Sequence, residues 1–231
     1  WRWLQRQPYF PALAAWLYYL GIEPFLRRRW PHRLIAWARL LEGRVADPIV
    51  GRQLLLGILV GAGVVFSGCL LDRSQDLSYL TTVLPIGSAA GFWSSTAYAA
   101  GTALINSLGS FAMLLVIRVL LRREIATWVA LAILWMIVSL PSGNVSIIEV
   151  AGLAVGTAFL LLAMRMGLLV TFTAWATNLL LLTVTPLTLD FSRWYAWQTV
   201  AIATLLLGIA VWGFRASVGR RRFLSASMFE G

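Results

Sequence analysis

Residues that could carry out chemistry are few in this chain, and their spacing matches no catalytic or metal-binding pattern. It has one histidine, His32, and one cysteine, Cys69, in different segments. A metal site needs clustered His, Cys, Asp or Glu, and nucleophilic catalysis needs a Ser or Cys beside a base and an orienting acid. A P-loop requires a lysine, and the chain has none. We therefore expect no metal, no cofactor and no catalytic residue here, which favours a protein that is not an enzyme.

Two polar residues in apolar segments are candidates for a role at membrane depth. Glu149, in "SIIEVAGLAVG", marks the membrane interface, or else acts as a proton or cation relay partner or as a contact to a partner subunit. Asn178, in "ATNLLLL", is placed to hydrogen-bond between helices. Near the first apolar segment, Glu23 and Arg27 are spaced for an ion pair along a helix. Because no two acids share a mid-membrane face, a transport pathway is not predicted.

Small residues at helical spacing predict close helix packing. Gly57 and Gly61 lie four residues apart in one apolar segment, and Gly152 and Gly156 repeat this spacing in another. Glycines at this spacing let helix backbones approach within a bilayer. We interpret both pairs as packing positions without a specified partner.

The elements that must position these residues are apolar segments, each close to the length that crosses a bilayer. Hydrophobic residues make up 60% of the chain and charged residues 12%, against about 25% charged in average soluble domains. A span needs about 20 apolar residues, which predicts an all-α integral membrane protein, a single domain over residues 1–231. The seven predicted spans are Tyr9–Phe25, Gln53–Leu71, Ala99–Leu121, Ile125–Leu140, Ile147–Met164, Gly167–Val184 and Trp197–Phe214.

The arginines predict an orientation for these spans. All 19 basic residues are arginine, and the net charge is +10. Placing the first connection in the cytoplasm puts 15 arginines inside and leaves four outside: Arg2, Arg6, Arg73 and Arg193. Cytoplasmic loops carry such an excess, so we expect the N-terminus outside and the C-terminus inside, in the bacterial cytoplasmic membrane. The main anchors are Arg27, Arg28, Arg29, Arg122, Arg123, Arg220, Arg221 and Arg222. Arginines flanking apolar spans indicate lipid rather than nucleic acid as the partner.

Two connections have features of their own. Residues 31–46 begin with Pro31, which suits a helix start, and Leu34, Trp37, Ala38 and Leu41 would share one face. We predict an amphipathic helix in the cytoplasmic interface, or alternatively a loop packed on the bundle. Residues 72–98, rich in Ser, Thr, Gly and Ala, are predicted to form a long outer loop that lies on protein or in the interface.

Two passages carry a family resemblance. "YYLGIEPFLRRRWPHRLIAWARLLEGRVADPIVGRQLLLG" (Tyr18–Gly57) and "TPLTLDFSRWYAWQTVAIATLLLGIAVWGF" (Thr185–Phe214) cover about 70 of the 231 residues. They resemble the patterns "LEPxxRRRWPxxLIxWxRLLxGRxxDPLVGRDLLxG" and "PLTLDxSxWYA…GF" in the C-terminal membrane region of bacterial serine/threonine protein kinases of the Acidobacteria type. Gln53 stands where the first pattern has Asp. The kinase active site itself is absent from this sequence, because it needs a lysine and an HRD loop, and His32 is followed by Arg33 and Leu34.

Three functions therefore compete. The resemblance implies a non-catalytic membrane anchoring or sensor module, and a start at Trp1 leads us to expect a chain that is processed or part of a longer protein. The alternative is an accessory structural subunit of a larger membrane complex, photosynthetic or respiratory. A small transporter is the third. In each case we expect membrane lipids and a protein in the same membrane as partners.

Overall fold

The computed structural model describes residues 9–71, 89–140, 146–184, 192 and 196–218. This part of the chain is almost entirely helical and contains no strand. Seven long helices and one short helix follow one another along these residues. They are α1 (Tyr9–Arg29), α2 (Ile35–Leu41), α3 (Pro48–Leu71), α4 (Ala89–Leu121), α5 (Glu124–Ser139), α6 (Ile147–Met166), α7 (Leu168–Leu179, continued by a π-helical segment Leu180–Val184) and α8 (Ala196–Val218).

Four of these helices, α3, α4, α6 and α8, are long and apolar enough to cross a membrane. Helices α5 and α7 are apolar but shorter, and α1 carries Glu23 and Pro24. Each of the seven long helices overlaps one of the seven predicted spans, and four of them have the length and composition to cross a membrane. Their surface is apolar: large hydrophobic side chains such as Leu59, Ile125 and Leu207 are exposed, as expected of helices that face lipid.

The interior contains small hydroxyl residues, and the hydroxyl groups find acceptors within their own helices. Buried Thr171 and Thr173 donate to carbonyl oxygens four residues back, and Ser107 donates to the carbonyl oxygen of Leu104. In a bilayer every polar group must be satisfied by the protein. The small hydroxyl residues meet this requirement, and they lie in a core that also contains large buried side chains such as Phe111 and Met164.

Helix α4 begins at Ala89, ten residues before the predicted start at Ala99, so the predicted outer loop of residues 72–98 is wrong in its last ten residues. The polar residues of this stretch suggested a loop. In the structure Ser94 and Ser95 donate to the carbonyl of Gly91, and Thr96 donates to the carbonyl of Phe92. The hydroxyl groups thus form hydrogen bonds within the helix, and the alanines of this stretch have a high helix propensity. The rest of the predicted loop, residues 72–88, lies outside the described residues.

Helix α2 is shorter than the predicted helix of residues 31–46. Pro31–Arg33 form a 3₁₀ turn, and α2 ends at Leu41. Gly43 has φ +77°. Its N–H donates to the Leu40 carbonyl oxygen, and the N–H of Arg44 donates to the Arg39 carbonyl oxygen. These two bonds form a Schellman motif, in which glycine is favoured because its φ is positive. Gly43 is the residue in the sequence that indicates this stop.

The face of α2 that packs also differs from the prediction. Ala36, Trp37 and Leu40 pack against the first turn of α3 and against α7, whereas Leu41 is 63% exposed. Helix α2 is therefore packed on the bundle, as the alternative interpretation has it, although the segment is a short helix and not a loop. Leu40, which is not on the predicted face, packs against the bundle rather than facing the proposed interface.

Helices α3 and α7 form the centre of the bundle. Helix α3 contacts α6, α7 and α8, and α7 contacts α3, α4 and α6. The start of α3 is defined by Asp47, whose carboxylate accepts from the Ile49 N–H at 2.8 Å and pairs with Arg39 at 2.6 Å. Aspartate at the N-cap followed by proline in the first helical position is a strong start signal.

Candidate functional site

Arginines from distant parts of the sequence meet at one end of the bundle, together with tryptophans. We call this group the arginine–tryptophan cluster. It comprises the 3₁₀ turn after α1, the end of α4, the first turns of α5 and the end of α6. Its members are Trp30, Arg33, Arg118, Arg122, Trp128 and Arg165.

Arg33 is the buried member of the cluster. Its relative exposure is 7%, and its guanidinium carbon lies 4.6 Å from the ring centre of Trp30 and 5.5 Å from that of Trp128. Its Nε and one terminal nitrogen are buried without a hydrogen-bond partner among the described residues. Cation–π contacts of this kind are worth about 2 kcal/mol when desolvated, and burying an arginine without full hydrogen bonding opposes them.

The position of Arg33 depends on a glycine between α6 and α7. Gly167 has φ +139°, and a Cβ placed there would lie 3.0 Å from the carbonyl oxygen of Arg33. A side chain at this residue would be strained by its backbone conformation and would also crowd the 3₁₀ turn. Gly167 therefore lets the turn that carries Arg33 pack against the α6–α7 junction.

A second cation adjoins the same ring system. The guanidinium carbon of Arg165 lies 4.9 Å from the ring centre of Trp128. Burial is the main cause that lowers the pKa of Arg33; the carboxylate of Glu124 raises this pKa and the charge of Arg165 lowers it further. Arginine still keeps its proton at physiological pH. The members of the cluster therefore offer positive charge and hydrogen-bond donors, and none of them could act as a base.

Arg118 and Arg122 line a polar cleft of about 530 Å³ together with Trp30 and Val119. One terminal nitrogen of Arg118 is buried and has no hydrogen-bond partner in the part of the chain that the structure describes. Both guanidinium side chains line this one cleft, so two like charges share it.

Arg122 also has an unusual backbone conformation. Its φ is +54°, and it is the one non-glycine residue with positive φ among the described residues. It follows the last residue of α4, and its N–H donates to the Arg118 carbonyl at 3.1 Å. Glycine is the usual residue in this position, and the left-handed conformation costs other residues about 1–2 kcal/mol. Strained residues are concentrated at functional sites.

Glu149 lies at the opposite end of α6 from Arg165, about 24 Å away at 1.5 Å per residue. Its carboxylate accepts from the Ser146 N–H at 2.7 Å, and its own N–H donates to the Ser146 hydroxyl at 3.2 Å. This reciprocal pair is a capping box. The "SIIE" stretch carries the signal for it, and these contacts give Glu149 a role in capping its own helix. That it marks the membrane interface, or acts as a relay or a partner contact, stays a prediction. Asn178 is half-buried near the end of α7.

The four predicted packing glycines are placed differently. A Cβ on Gly57 would lie 2.5 Å from the Thr173 Cβ, and one on Gly61 would lie 2.6 Å from the Ala174 carbonyl oxygen. Both glycines are therefore where α3 and α7 touch. Gly152 is buried on α6, whereas a Cβ on Gly156 would be in ordinary contact, 3.7 Å from Val64.

Another close contact was missed at the sequence level. A Cβ on Gly51 would lie 2.7 Å from the Ser217 nitrogen, and one on Gly213 would lie 3.1 Å from the Gly51 carbonyl oxygen. These residues bring the start of α3 against the end of α8. Each glycine stands alone in its own helix turn, so no spacing within one segment could have predicted the pair.

The predicted anchors are only partly within the described residues. Arg27 forms the expected ion pair with Glu23 at 2.6 Å, and Arg28 and Arg123 are exposed. Arg29 ends α1, and Arg220, Arg221 and Arg222 lie outside the described residues. His32 is exposed, and among the described residues no group of three or more His, Cys, Asp or Glu side chains could hold a metal ion.

A comparison with protein-family profiles, with curated proteins and with solved structures finds no match to this chain.

Proposed function

We propose that this chain is a non-catalytic anchoring or sensor module of the bacterial cytoplasmic membrane. The observation that carries the proposal is the separation of charge and apolar surface in the bundle. Arg33, Arg118, Arg122 and Arg165 from three predicted cytoplasmic connections converge at one end, while the helix sides expose large apolar residues. A group of guanidinium side chains at one end of a bundle holds that end at the inner leaflet, where anionic headgroups attract it.

In this proposal all seven long helices cross the membrane. Helix α5 has 16 residues and would reach about 24 Å, which is shorter than the roughly 30 Å hydrocarbon core. Local thinning or flanking arginines compensate for such a mismatch. Helix α4 has 33 residues and is correspondingly longer than the core, so it would tilt or extend beyond the membrane.

Cysteine labelling tests the membrane orientation. Cys69→Ser removes the one native thiol, after which Ser225→Cys places a thiol in the C-terminal tail and Ser78→Cys places one in the predicted outer loop. In intact spheroplasts a membrane-impermeant maleimide should label the Ser78→Cys variant. It should leave the Ser225→Cys variant unlabelled until the cells are lysed. Labelling of the tail from outside would refute the proposed orientation.

The likeness to the membrane region of bacterial serine/threonine kinases suggests what the module would serve. It would hold or signal to a catalytic domain that this sequence does not contain. The intact mass of the native protein, together with the proteins that co-purify with it, tests this part. A kinase domain in the same polypeptide or in a stoichiometric complex would support it; a complex with pigment- or haem-binding chains and no kinase would favour the accessory-subunit role.

A further inference from the structure

The cleft between Trp30, Arg118 and Arg122 has the chemistry of an anion site. Its charged lining residues are two arginines, and a buried Arg118 nitrogen has no partner among the described residues. Arg33, itself more than nine-tenths buried, lies against the Trp30 ring that forms one wall. The nearby carboxylate of Glu124 acts on the charge of Arg33, but Glu124 is exposed and is not among the lining residues.

We propose that this cleft binds an anionic phosphate group, supplied either by a phospholipid headgroup or by free phosphate. Three features that each oppose folding become useful with such a ligand. The unpartnered Arg118 nitrogen gains an acceptor, the repulsion between the two arginines that share the cleft is neutralised, and Arg122, in its left-handed conformation, lines the cleft that holds the ligand. An uncharged residue in place of Arg118 would avoid the unpartnered nitrogen, and glycine in place of Arg122 would avoid the left-handed strain.

Phosphate fits the two guanidinium groups better than a carboxylate does. A guanidinium offers a planar fork of donors that matches phosphate bidentately. Inorganic phosphate has four oxygen acceptors and can serve both arginines at once, whereas a carboxylate has two. The phosphodiester of a phospholipid has two anionic oxygens and two ester oxygens. Trp30 lies beside the cleft, and tryptophan is enriched at the level of the lipid headgroups in membrane proteins. Binding of a lipid headgroup rests on the proposed membrane function, whereas binding of free phosphate does not.

The experiment measures the melting temperature of the full chain with each source of phosphate. One arm compares inorganic phosphate with chloride at equal ionic strength, in neutral detergent. The other arm compares nanodiscs of phosphatidylglycerol with nanodiscs of phosphatidylcholine. Saturating the site should raise the melting temperature by about 3 °C or more in at least one arm, and the arm that responds identifies the source.

Two cleft variants and a matched control assign the response. Arg118→Gln and Arg122→Gly should abolish the shift, while Arg123→Gln removes the same charge from a neighbouring exposed residue and should keep it. Arg122→Gly also relieves the left-handed strain, so without ligand it should melt at or above the wild-type temperature. This variant therefore tests binding even if Arg118→Gln fails to fold.

The outcomes separate the proposals. No response of the wild type to phosphate or to phosphatidylglycerol overturns the site, as does an equal response in both cleft variants. A response to inorganic phosphate in detergent, together with labelling that contradicts the membrane orientation, would leave the site standing and remove the proposed topology.

Discussion

Replacing Gly61 by alanine tests whether the α3–α7 contact determines stability. The added Cβ would lie 2.6 Å from the Ala174 carbonyl oxygen, 2.7 Å from the Thr177 Cβ and 3.1 Å from the Ala174 Cα. Two of these distances are shorter than real carbon contacts, and two of the three neighbouring atoms belong to the backbone. The helices must therefore separate, since no flexible side chain can move away.

The magnitude follows from two opposing effects. Overpacking a well-packed core by a methyl group costs about 1–3 kcal/mol. Alanine in place of glycine in a helix contributes about 0.5–1 kcal/mol in the other direction. Gly68 on the same helix provides the control, because a Cβ there meets nothing within 4 Å. Gly68→Ala should therefore gain the helix propensity of alanine without the cost of overpacking.

The two variants should differ in stability by about 1–3 kcal/mol, which corresponds to about 3–9 °C in melting temperature for a chain of this size. The assay is thermal unfolding in one detergent, read by tryptophan fluorescence, with the wild type between the two variants. If Gly61→Ala melts as high as Gly68→Ala, the close approach of α3 and α7 is not present in the protein, and the packing derived from it is refuted.

Two further predictions concern helix ends. Gly43→Ala should lower the free energy of unfolding by about 1 kcal/mol, because Gly43 has φ +77° in the stop of α2; an unchanged denaturant midpoint would contradict the Schellman motif. Ser146→Ala should cost about 0.5–2 kcal/mol, since the Ser146 hydroxyl accepts from the Glu149 N–H. Ser146→Asp should restore most of this stability, and a Ser146→Ala variant that melts like the wild type would argue against the capping box.

Much of the local structure could be predicted from the sequence. Long apolar segments place the seven long helices, because a helix satisfies its own backbone hydrogen bonds whatever surrounds it. Glycine pairs four residues apart predicted the α3 contact surface at Gly57 and Gly61. Two other local signals are present in the sequence, namely Gly43 as a helix stop and Ser146 with Glu149 as a capping box. These depend on residues a few positions apart, so reading them needs no tertiary structure.

The start of α4 was predicted too late for a physical reason. Ser94, Ser95 and Thr96 are polar by composition, which suggested a loop, yet their hydroxyls donate to carbonyls within the same helix. The amino-acid composition shows that a hydroxyl group is present, but it does not show which carbonyl oxygen accepts its hydrogen bond. The same limit applied to α2, where periodicity indicated an apolar stripe but could not say that Leu40 faces the bundle.

The sequence by itself determined a helical, arginine-flanked chain with apolar segments of membrane length, because segment length, periodicity and charge are local properties. Tertiary structure alone decided that Arg33 is buried against Trp30 and Trp128, that Arg118 and Arg122 share a cleft with Trp30, and that Gly51 meets Gly213. These relations join residues up to about 160 positions apart. They depend on how whole helices pack, which no spacing within one segment encodes.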